Sequence, residues 1–340
     1  MKSKFFIFVL FILPSIIYSV KTPNDAYKHQ VAELDNLAAN KETSRINGVI
    51  ELKKDGYLGS GTGGFVYEGR HVAIKFVNNT DREKCESELK MYCYLNAYRN
   101  ADVEKYGIPI IYFYGEWKEY ILIAMKKFHK NLLEVVRSDS ELNDLDVLIL
   151  CKDFVYQTKY IHSCGIRHDD IKPQNIMIRE NHYFLIDFGA SSKKNEDSGI
   201  LTFGYASRRG RLGEQRLAID DYESFLYTIS ELRPKKKWFS PSEDHTEEKE
   251  KLDKNNGLEI IIRAFADEVF PSNGKLKEFP NYDYLENKIR KEINVLVSQK
   301  SWAKRIYAKL IARDIKKINE PSEITKFPYP SPPKGLLGKK

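Results

Sequence analysis

One polar stretch constrains this 340-residue chain more than any other: residues 166–177, with the sequence I-R-H-D-D-I-K-P-Q-N-I-M. Asp170 can accept the proton of an attacking hydroxyl, and Lys172 can neutralise charge on a transferred phosphoryl group. Asn175 and Asp187, which stand 12 residues apart, provide oxygen ligands of the kind that Mg²⁺ prefers. Phosphoryl transfer requires mainly positioning and charge stabilisation from a protein, so this spacing predicts that chemistry.

The adjacent residues Asp169 and Asp170 leave one register to choose. Only Asp170 places a Lys at position +2 and an Asn at position +5. In this register the segment resembles the catalytic loop of protein kinases, and the D-F-G at 187–189 resembles their metal-binding motif. His168 then takes the usual His position, and Asp169 stands where these enzymes normally carry an Arg that binds an activation-loop phosphate. The resemblance therefore argues against switching by phosphorylation of that loop.

A glycine-rich segment lies upstream, followed by a strand that ends in a lysine. Gly59, Gly61, Gly64 and Val66 form the pattern G-x-G-x-x-G-x-V, and Ser60 lies between its first two glycines. The next strand carries Val72-Ala73-Ile74-Lys75. The two patterns resemble the kinase hairpin that closes over triphosphate oxygens and the V-A-I-K lysine that pairs the α- and β-phosphates. The resemblance implies ATP contacts from the hairpin, Ala73 and Lys75, although Gly63 replaces the Phe that is common at the tip.

The next predicted element is a helix over residues 81–97. Its apolar residues recur on one face: Leu89, Tyr92 and Leu95. Glu88 lies one turn before this face's tyrosine and is predicted to form an ion pair with Lys75, with Glu86 as the alternative. A glutamate that is merely solvated is the ordinary interpretation of either residue.

Strands over 110–114 and 120–123 are predicted to follow the helix. Met125 then falls where kinases line the back of the adenine pocket, although it fits an ordinary core position equally well. Residues 126–128, which end in Phe128, correspond to the hinge whose backbone groups hydrogen-bond adenine.

Three later motifs make the resemblance more specific: T-F-G-Y-A-S at 202–207, L-G-E-Q at 212–215 and D-D-Y-E-S at 220–224. In this order they resemble the casein kinase 1 family and its vaccinia-related and tau-tubulin kinase relatives. Here the second motif is one residue shorter than in the family, and Tyr222 replaces a Leu. The P-N-Y-D-Y-L at 280–285 resembles a later motif of the family, so the resemblance covers about residues 50–295.

This resemblance implies an α+β, two-lobed protein kinase fold. The expected kinase domain covers 46–315, with a small β-rich lobe over 46–128 and a larger, mostly helical lobe over 129–315. The implied activity is that of a serine/threonine kinase that uses ATP and Mg²⁺ on a protein substrate.

The resemblance also assigns roles outside the catalytic loop. Thr202 would brace Asp170 and Lys172, and Asp221 would anchor the helix beneath the loop. Three arginines directly follow the Y-A-S: Arg208, Arg209 and Arg211. In casein kinase 1-like enzymes, basic residues at this place bind acidic or phosphate-primed substrates, whereas a solvated basic turn is the alternative.

The N-terminus has the pattern of a secretory signal. Lys2 and Lys4 precede an uncharged apolar run over residues 5–18, interrupted by Pro14, and Ser19 is a candidate cleavage point. The run is too short for a stable membrane span, which predicts a signal peptide over 1–19 and export, with a signal-anchor as the alternative. Residues 20–45 form a polar extension, either a short helix or a linker, and 316–340 a Pro- and Lys-rich tail.

Composition supports a packed globular protein, with 42% hydrophobic residues and a net charge of +7 of mixed sign. No run of basic residues with interleaved aromatics stands out, so no nucleic-acid partner is expected. The four cysteines are expected to be isolated thiols, because their spacing fits no zinc site and all lie in elements expected to be helical or buried. Asn78 begins an N-x-T sequon, which matters only if the chain enters the secretory pathway.

Three functions compete on this evidence. An active, exported serine/threonine kinase is the first, because every residue of the phosphoryl-transfer pattern is present. A secreted pseudokinase that serves as a binding or scaffold module is the alternative, favoured by the loop tip and by Asp169. A small-molecule or sugar kinase on the same fold is disfavoured by the Y-A-S and D-D-x-E-S motifs. The oligomeric state is left open.

Overall fold

The computed structural model describes residues 28–39, 45–46, 50–61, 64–97, 107–138, 142–179, 181–196, 199, 201–232, 238–241 and 245–319. The predicted signal peptide lies outside these residues, as do the tip of the glycine-rich hairpin and the chain from residue 320 onward. Residues 316–319, expected to begin the Pro- and Lys-rich tail over 316–340, instead form the end of a helix, and the rest of that predicted tail lies outside the described residues.

The described residues contain a β-rich first part and a helical second part. The helices are α1 (Lys28–Ala39), α2 (Arg82–Ala97), α3 (Leu132–Arg137), α4 (Asp144–Ser163), α5 (Arg208–Arg211), α6 (Ala218–Glu231), α7 (His245–Lys251), α8 (Gly257–Val269), α9 (Tyr282–Gln299) and α10 (Ser301–Asn319). The strands are β1 (Arg45–Ile46), β2 (Ile50–Gly61), β3 (Gly64–Gly69), β4 (Val72–Asn78), β5 (Ile111–Trp117), β6 (Tyr120–Lys126), β7 (Lys130–Asn131), β8 (Ile166–Arg167), β9 (Ile176–Arg179), β10 (His182–Leu185) and β11 (Ser192–Lys193). This arrangement confirms the α+β, two-lobed fold.

The small lobe is an antiparallel sheet with the strand order β1-β2-β3-β4-β6-β5. Side chains alternate between its two faces, and one face is filled by aromatic rings such as Phe65 and Phe76, which stack at 4.7 Å. Helix α1 adds Val31 and Leu34 to this core cluster, so part of the polar N-terminal extension is a helix packed on the sheet.

Helix α2 covers the small lobe on its large-lobe side. Leu89, Tyr92 and Leu95 are all buried, as the helical periodicity predicted. Leu89 packs in a cluster with Ile121 and Ile123 of β6, whereas the other two belong to the core of the large lobe. The helix is therefore shared by both lobes, which lets it carry a charged side chain to their junction.

The core of the large lobe lies between α4, α6 and α8. Phe154 of α4 stacks on Phe225 of α6 at 3.7 Å, and the length of α6 from Ala218 to Ser230 is buried. Tyr222, the departure from the expected Leu, places its hydroxyl 2.9 Å from Thr158 Oγ1, so its buried polar group is satisfied. Among the described helices, none combines the length and apolarity that a membrane crossing requires.

The four cysteines are free thiols, as expected. Cys85, Cys151 and Cys164 are buried, and Cys93 is half-buried. Burial raises the pKa of the Cys85 thiol to about 12, so this thiol is protonated at neutral pH.

Candidate active site

A lysine of the small lobe contacts carboxylates from two other elements. Nζ of Lys75, on β4, lies 2.7 Å from Oε2 of Glu88 on α2 and 3.5 Å from Oδ1 of Asp187, which follows β10. Glu86, the alternative partner, instead lies 3.6 Å from Arg82 on the surface. The strand, the helix and the segment after β10 therefore meet at the Lys75 ammonium group.

The opposite charges of this triad stabilise the ionised forms of Lys75 and Asp187. Burial alone would lower the pKa of Lys75, but the negative charges of Glu88 and Asp187 outweigh it and raise that pKa. Burial raises the pKa of Glu88, whose Oε1 has no hydrogen-bond partner among the described residues. Burial would also raise the pKa of Asp187, but the cations Lys75 and Lys172 lower it. Lys75 is therefore a cation and Asp187 an anion at neutral pH.

Three more residues predicted to contact ATP share a face of the sheet with Lys75. The strand register pairs Val66 with Lys75 and Met125 with Ala73. Directly paired side chains lie on the same face of an antiparallel sheet, so these four form one patch. Val66, Ala73 and Met125 are half-buried, and Met125 also packs against the cluster that contains Leu89. The patch provides an apolar surface beside a cation.

The glycines of the hairpin differ in how closely other atoms approach them. A side chain at Gly64 would place its Cβ 2.0 Å from the carbonyl oxygen of Phe76, so β3 and β4 require glycine there for packing. Among the described residues, nothing lies within 4 Å of the equivalent point at Gly59 and Gly61, and Ser60 between them is exposed. Gly64 is therefore a structural requirement of the sheet, whereas no described neighbour requires glycine at residues 59 and 61 by close contact.

Phe128 reaches the site only through its backbone. Its ring lies 4.9 Å from that of Phe184 on β10 and is buried between the lobes. A contribution of Phe128 to adenine binding is consequently limited to its main-chain groups, which is the role expected of a hinge.

The catalytic-loop carboxylate is held by three donors. Asp170 Oδ1 accepts a hydrogen bond from Thr202 Oγ1 at 2.6 Å. Asp170 Oδ2 accepts from Lys172 Nζ at 2.6 Å and from Asn175 Nδ2 at 2.9 Å. Lys172 also donates to Thr202 Oγ1 at 3.0 Å. A 3-10 turn over Pro173–Asn175 returns the chain so that Lys172 and Asn175 both face Asp170.

Backbone and ring contacts connect this loop to Asp187. The N–H of Ile186 donates to the carbonyl of Asn175 at 3.0 Å, and the N–H of Asp187 donates to the hydroxyl of Tyr92 at 3.2 Å. Phe188 is fully buried, with its ring 5.1 Å from Tyr92 and 4.9 Å from His168. The two predicted metal ligands, Asn175 and Asp187, are therefore held on adjacent backbone segments.

Asp221, on α6, supports the loop from below. Its Oδ2 accepts the His168 N–H at 2.8 Å and its Oδ1 accepts the Asp169 N–H at 2.9 Å. His162 Nε2 lies 2.9 Å from Oδ2. Burial would raise the pKa of Asp221, but the His162 contact outweighs it and lowers that pKa, so the carboxylate stays ionised. This is the anchoring arrangement that the resemblance implied.

Comparison with known proteins agrees with this geometry. A family model described as the protein kinase domain matches residues 52–317. The chain belongs to the protein kinase family. It is also similar to Casein kinase 1-like protein HD16 of Oryza sativa subsp. japonica, with 26% identity over 226 residues that cover 55% of this chain and 31% of the relative. The chain thus aligns with about a third of that relative's length.

The sequence did not reveal what surrounds Asp169 in this kinase domain. Its carboxylate faces away from the Asp170 contacts and meets Arg167, Arg216 and Ser192. Arg167 is only two residues away, but Asp169 has a left-handed backbone with a φ of 62°, so strand alternation did not indicate this contact. Arg216 lies 47 residues further along, and nothing in the spacing indicated it.

The three arginines after the Y-A-S all have partners within the kinase domain. Arg208 Nε lies 3.2 Å from Glu223 Oε1, and Arg209 Nη1 lies 2.8 Å from Glu214 Oε2. Arg211 donates to a backbone carbonyl at 3.2 Å. Arg208 has the side chain with the larger exposed fraction, 48% against 22% for Arg209. Arg208 is therefore more accessible to a substrate anion than Arg209.

The donor atoms at the site suit a magnesium nucleotide. The carboxylate of Asp187 is ionised and the side chain of Asn175 carries an amide oxygen, and both are hard ligands of the kind that Mg²⁺ takes. Mg²⁺ bound by one or two protein ligands usually completes its coordination with phosphate oxygens and water. Membership of the protein kinase family implies the use of ATP, usually with Mg²⁺, and these residues fit that use.

Proposed function

We propose that this chain is a serine/threonine protein kinase that transfers the γ-phosphoryl group of ATP to hydroxyls of protein substrates. The observation that carries the proposal is the carboxylate of Asp170, held by Lys172, Thr202 and Asn175 beside the segment that carries Asp187. The preference for serine and threonine is supported by the T-x-x-Y-A-S motif and by the casein kinase 1-like relative.

Each residue has a role in this proposal. Asp170 orients the acceptor hydroxyl and takes its proton, and Lys172 neutralises charge that develops on the transferred group. Lys75, held by Glu88, binds the α- and β-phosphates. Asn175 and Asp187 would hold Mg²⁺, which supplies charge neutralisation of the phosphates when it is bound. The apolar patch of Val66, Ala73 and Met125 would receive the adenine.

The same contacts favour an active enzyme over the pseudokinase alternative. A binding module needs the fold but has no need of a carboxylate with three aligned donors. The unusual Asp169 leaves these donors in place, because its side chain occupies a separate environment. The hairpin tip lies outside the described residues and does not enter this comparison.

The substrate preference for acidic or primed sites stays a proposal. Arg208 supports it most, since nearly half of its side chain is exposed beside Glu223. Export also stays a proposal and is supported by the N-terminal pattern alone. Sequencing the N-terminus of the mature protein tests export: a chain that begins near Val20 supports cleavage, and an intact Met1 contradicts it.

The catalytic proposal is tested by incubating the full-length protein with ATP, Mg²⁺ and casein, in parallel with Asp170→Asn. We expect phosphate on casein serine or threonine, identified by mass spectrometry, and a rate about 10²- to 10⁴-fold lower in the variant. Equal incorporation by both proteins contradicts the enzyme assignment, and phosphotyrosine contradicts the stated specificity. ATP binding by wild type without transfer supports the pseudokinase instead.

A further inference from the structure

A buried ionic cluster lies directly behind the proposed catalytic base. Arg167 Nε and Nη2 lie 3.2 and 3.3 Å from the two carboxylate oxygens of Asp169. Arg216 Nη2 lies 3.7 Å from Oδ2 and its Nη1 donates to the Asp169 carbonyl at 3.3 Å. The hydroxyl of Ser192 also donates to this carboxylate. We call these four residues, Arg167, Asp169, Ser192 and Arg216, the Asp169 cluster.

The cluster connects three parts of the large lobe. Arg167, on β8, also donates to the backbone carbonyls of Lys193 at 3.3 Å and Glu196 at 2.6 Å. Those two residues belong to the activation segment, the stretch from Asp187 to Ser207. Arg216 lies just before α6. One carboxylate therefore holds together the catalytic loop, the activation segment and the approach to α6.

The cluster is almost completely removed from water. The side chains of Arg167, Asp169 and Arg216 are 6, 1 and 3% exposed. Removing one partner from such a cluster leaves an uncompensated buried charge, which is strongly unfavourable. The backbone of Asp169 also has a φ of 62°, a left-handed conformation that a residue other than glycine rarely adopts without support from its surroundings.

The next residue is the one whose position matters most for the reaction. A left-handed Asp169 sends its own carboxylate to the buried side and the carboxylate of Asp170 to the opposite side, against Lys172 and Thr202. If the Asp169 carboxylate lost its arginines, the turn between the two aspartates would lose the contacts that fix it. Small displacements of a reacting group cost large factors in rate.

We propose that Asp169, clamped by Arg167 and Arg216, is a positioning residue that fixes the Asp170 carboxylate relative to the activation segment. The proposal rests on the proposed kinase activity and deepens it. Asp169 itself does not touch the substrate. Its effect on turnover passes through the geometry of the loop.

The test compares full-length Asp169→Asn with wild type and with Glu268→Gln as the matched control. Glu268 is also a buried carboxylate with two donors, Lys277 Nζ at 2.8 Å and the Asn281 N–H at 2.9 Å, but these belong to a different part of the large lobe. We expect kcat to fall about 10- to 100-fold in Asp169→Asn with KM for ATP unchanged. Glu268→Gln should change the melting temperature without lowering kcat.

Hydrogen exchange provides a measurement that does not depend on turnover. Amides of residues 168–170 and 192–196 should exchange faster in Asp169→Asn than in wild type, and those of β4 should not. This keeps the proposal separate from the proposed function, because a chain without kinase activity still reports whether the clamp holds these segments. Unchanged exchange at 168–170 and 192–196 overturns the clamp.

A double variant covers the case in which Asp169→Asn does not fold. Asp169→Asn with Arg216→Gln removes one buried charge of each sign, so we expect a folded protein whose kcat stays low. Wild-type kcat in either folded variant overturns the proposal. A shifted pH–rate profile of Asp169→Asn with unchanged hydrogen exchange also overturns the proposal. That result would mean that the variant changes the charge beside Asp170 and not the position of Asp170.

Discussion

The catalytic loop has two faces, and its adjacent aspartates show how differently they are built. On the cleft face, the carboxylate of Asp170 is 10% exposed and meets Lys172, which is 20% exposed. On the buried face, the carboxylate of Asp169 is 1% exposed and meets two arginines that water scarcely reaches. The same residue type, one position apart, is therefore the proposed catalytic base on one face and a counter-ion to two arginines on the other.

The difference indicates which face tolerates change. The cleft face must present fixed atoms to a nucleotide and a hydroxyl, and it follows the kinase pattern residue by residue. The buried face must only satisfy its charges. There an Asp replaces the usual Arg, and Arg167, two residues earlier, provides a guanidinium for the same region.

A large loss of activity is also expected on the cleft face from Asp187→Asn. Removing this carboxylate takes away a predicted Mg²⁺ ligand and the anion that lies 3.5 Å from Lys75. We expect kcat/KM to fall about 10²- to 10³-fold, the scale for losing one preorganised electrostatic group. Steady-state kinetics over a range of Mg²⁺ concentrations measures the effect.

Glu116→Gln is a suitable control for that variant. Glu116 also pairs with a cation, Arg82 at 2.6 Å, but is 62% exposed on β5. Its loss should leave kcat/KM unchanged, because an exposed ion pair contributes little. Equal activity in Asp187→Asn and Glu116→Gln would show that Asp187 has no role in the reaction. The cleft face would then not differ from the buried face in function.

The cleft face was largely predictable from sequence because its residues are close in the chain or belong to ordered motifs. The spacing around Asp170 and the V-A-I-K lysine identified residues that the fold brings together. The choice of Glu88 over Glu86 also followed from helical periodicity, since only Glu88 shares a face with Leu89 and Tyr92 as they turn inward. Local periodicity and motif order carry this information.

The buried face could not be predicted, because its contacts join distant residues through tertiary packing. Arg216 and Ser192 reach Asp169 only after the lobe has folded. The reason for Gly64 was also missed: the hairpin pattern indicated phosphate binding, whereas the strand beside it leaves no room for a Cβ. The hydroxyl of Tyr222 found its partner on α4 for the same reason.

A pH-dependent change in stability is expected from a buried carboxylate of the large lobe. Asp220, at the start of α6, accepts the Leu217 N–H at 2.6 Å, and burial raises its pKa from 3.8 to about 6. A folded-state pKa above the unfolded value means that the folded protein binds the extra proton between about pH 4 and pH 6. Ionisation of Asp220 therefore lowers the free energy of unfolding as pH rises through this window, by roughly 2 to 3 kcal/mol.

Asp220→Asn removes this titration while keeping an oxygen acceptor for the Leu217 N–H. The unfolding free energy of the variant minus that of wild type should become more positive from pH 4 to pH 7, as measured by urea denaturation. Asp283→Asn, whose side chain is 79% exposed at the start of α9, should run parallel to wild type. Parallel curves for Asp220→Asn would instead show that this carboxylate is solvated in the folded protein.

A smaller effect is expected from the arginines that follow the activation segment and are proposed to meet substrate. Arg208→Gln should raise KM for an acidic peptide about fivefold relative to a neutral one, the scale of one exposed ion pair. Arg209→Gln should do less, because its side chain is less exposed and pairs with Glu214. Arg70→Gln, an exposed arginine of the small lobe, is the control. If the ratio of KM for the acidic peptide to KM for the neutral peptide were equal in all three variants, Arg208 and Arg209 would have only a structural role.

Removal of any phosphate from the protein is expected to leave kcat unchanged. A phosphorylated activation loop usually acts by pairing with arginines, but Arg167 and Arg216 already face the Asp169 carboxylate. Ser192, the segment hydroxyl within this cluster, is itself buried and bonded to Asp169. Phosphatase treatment, followed by intact-mass analysis and kinetics, should therefore leave kcat unchanged. A large loss of kcat that maps to a phosphate within residues 187–207 would mean that the buried face is completed by modification, and that Asp169 alone does not balance its arginines.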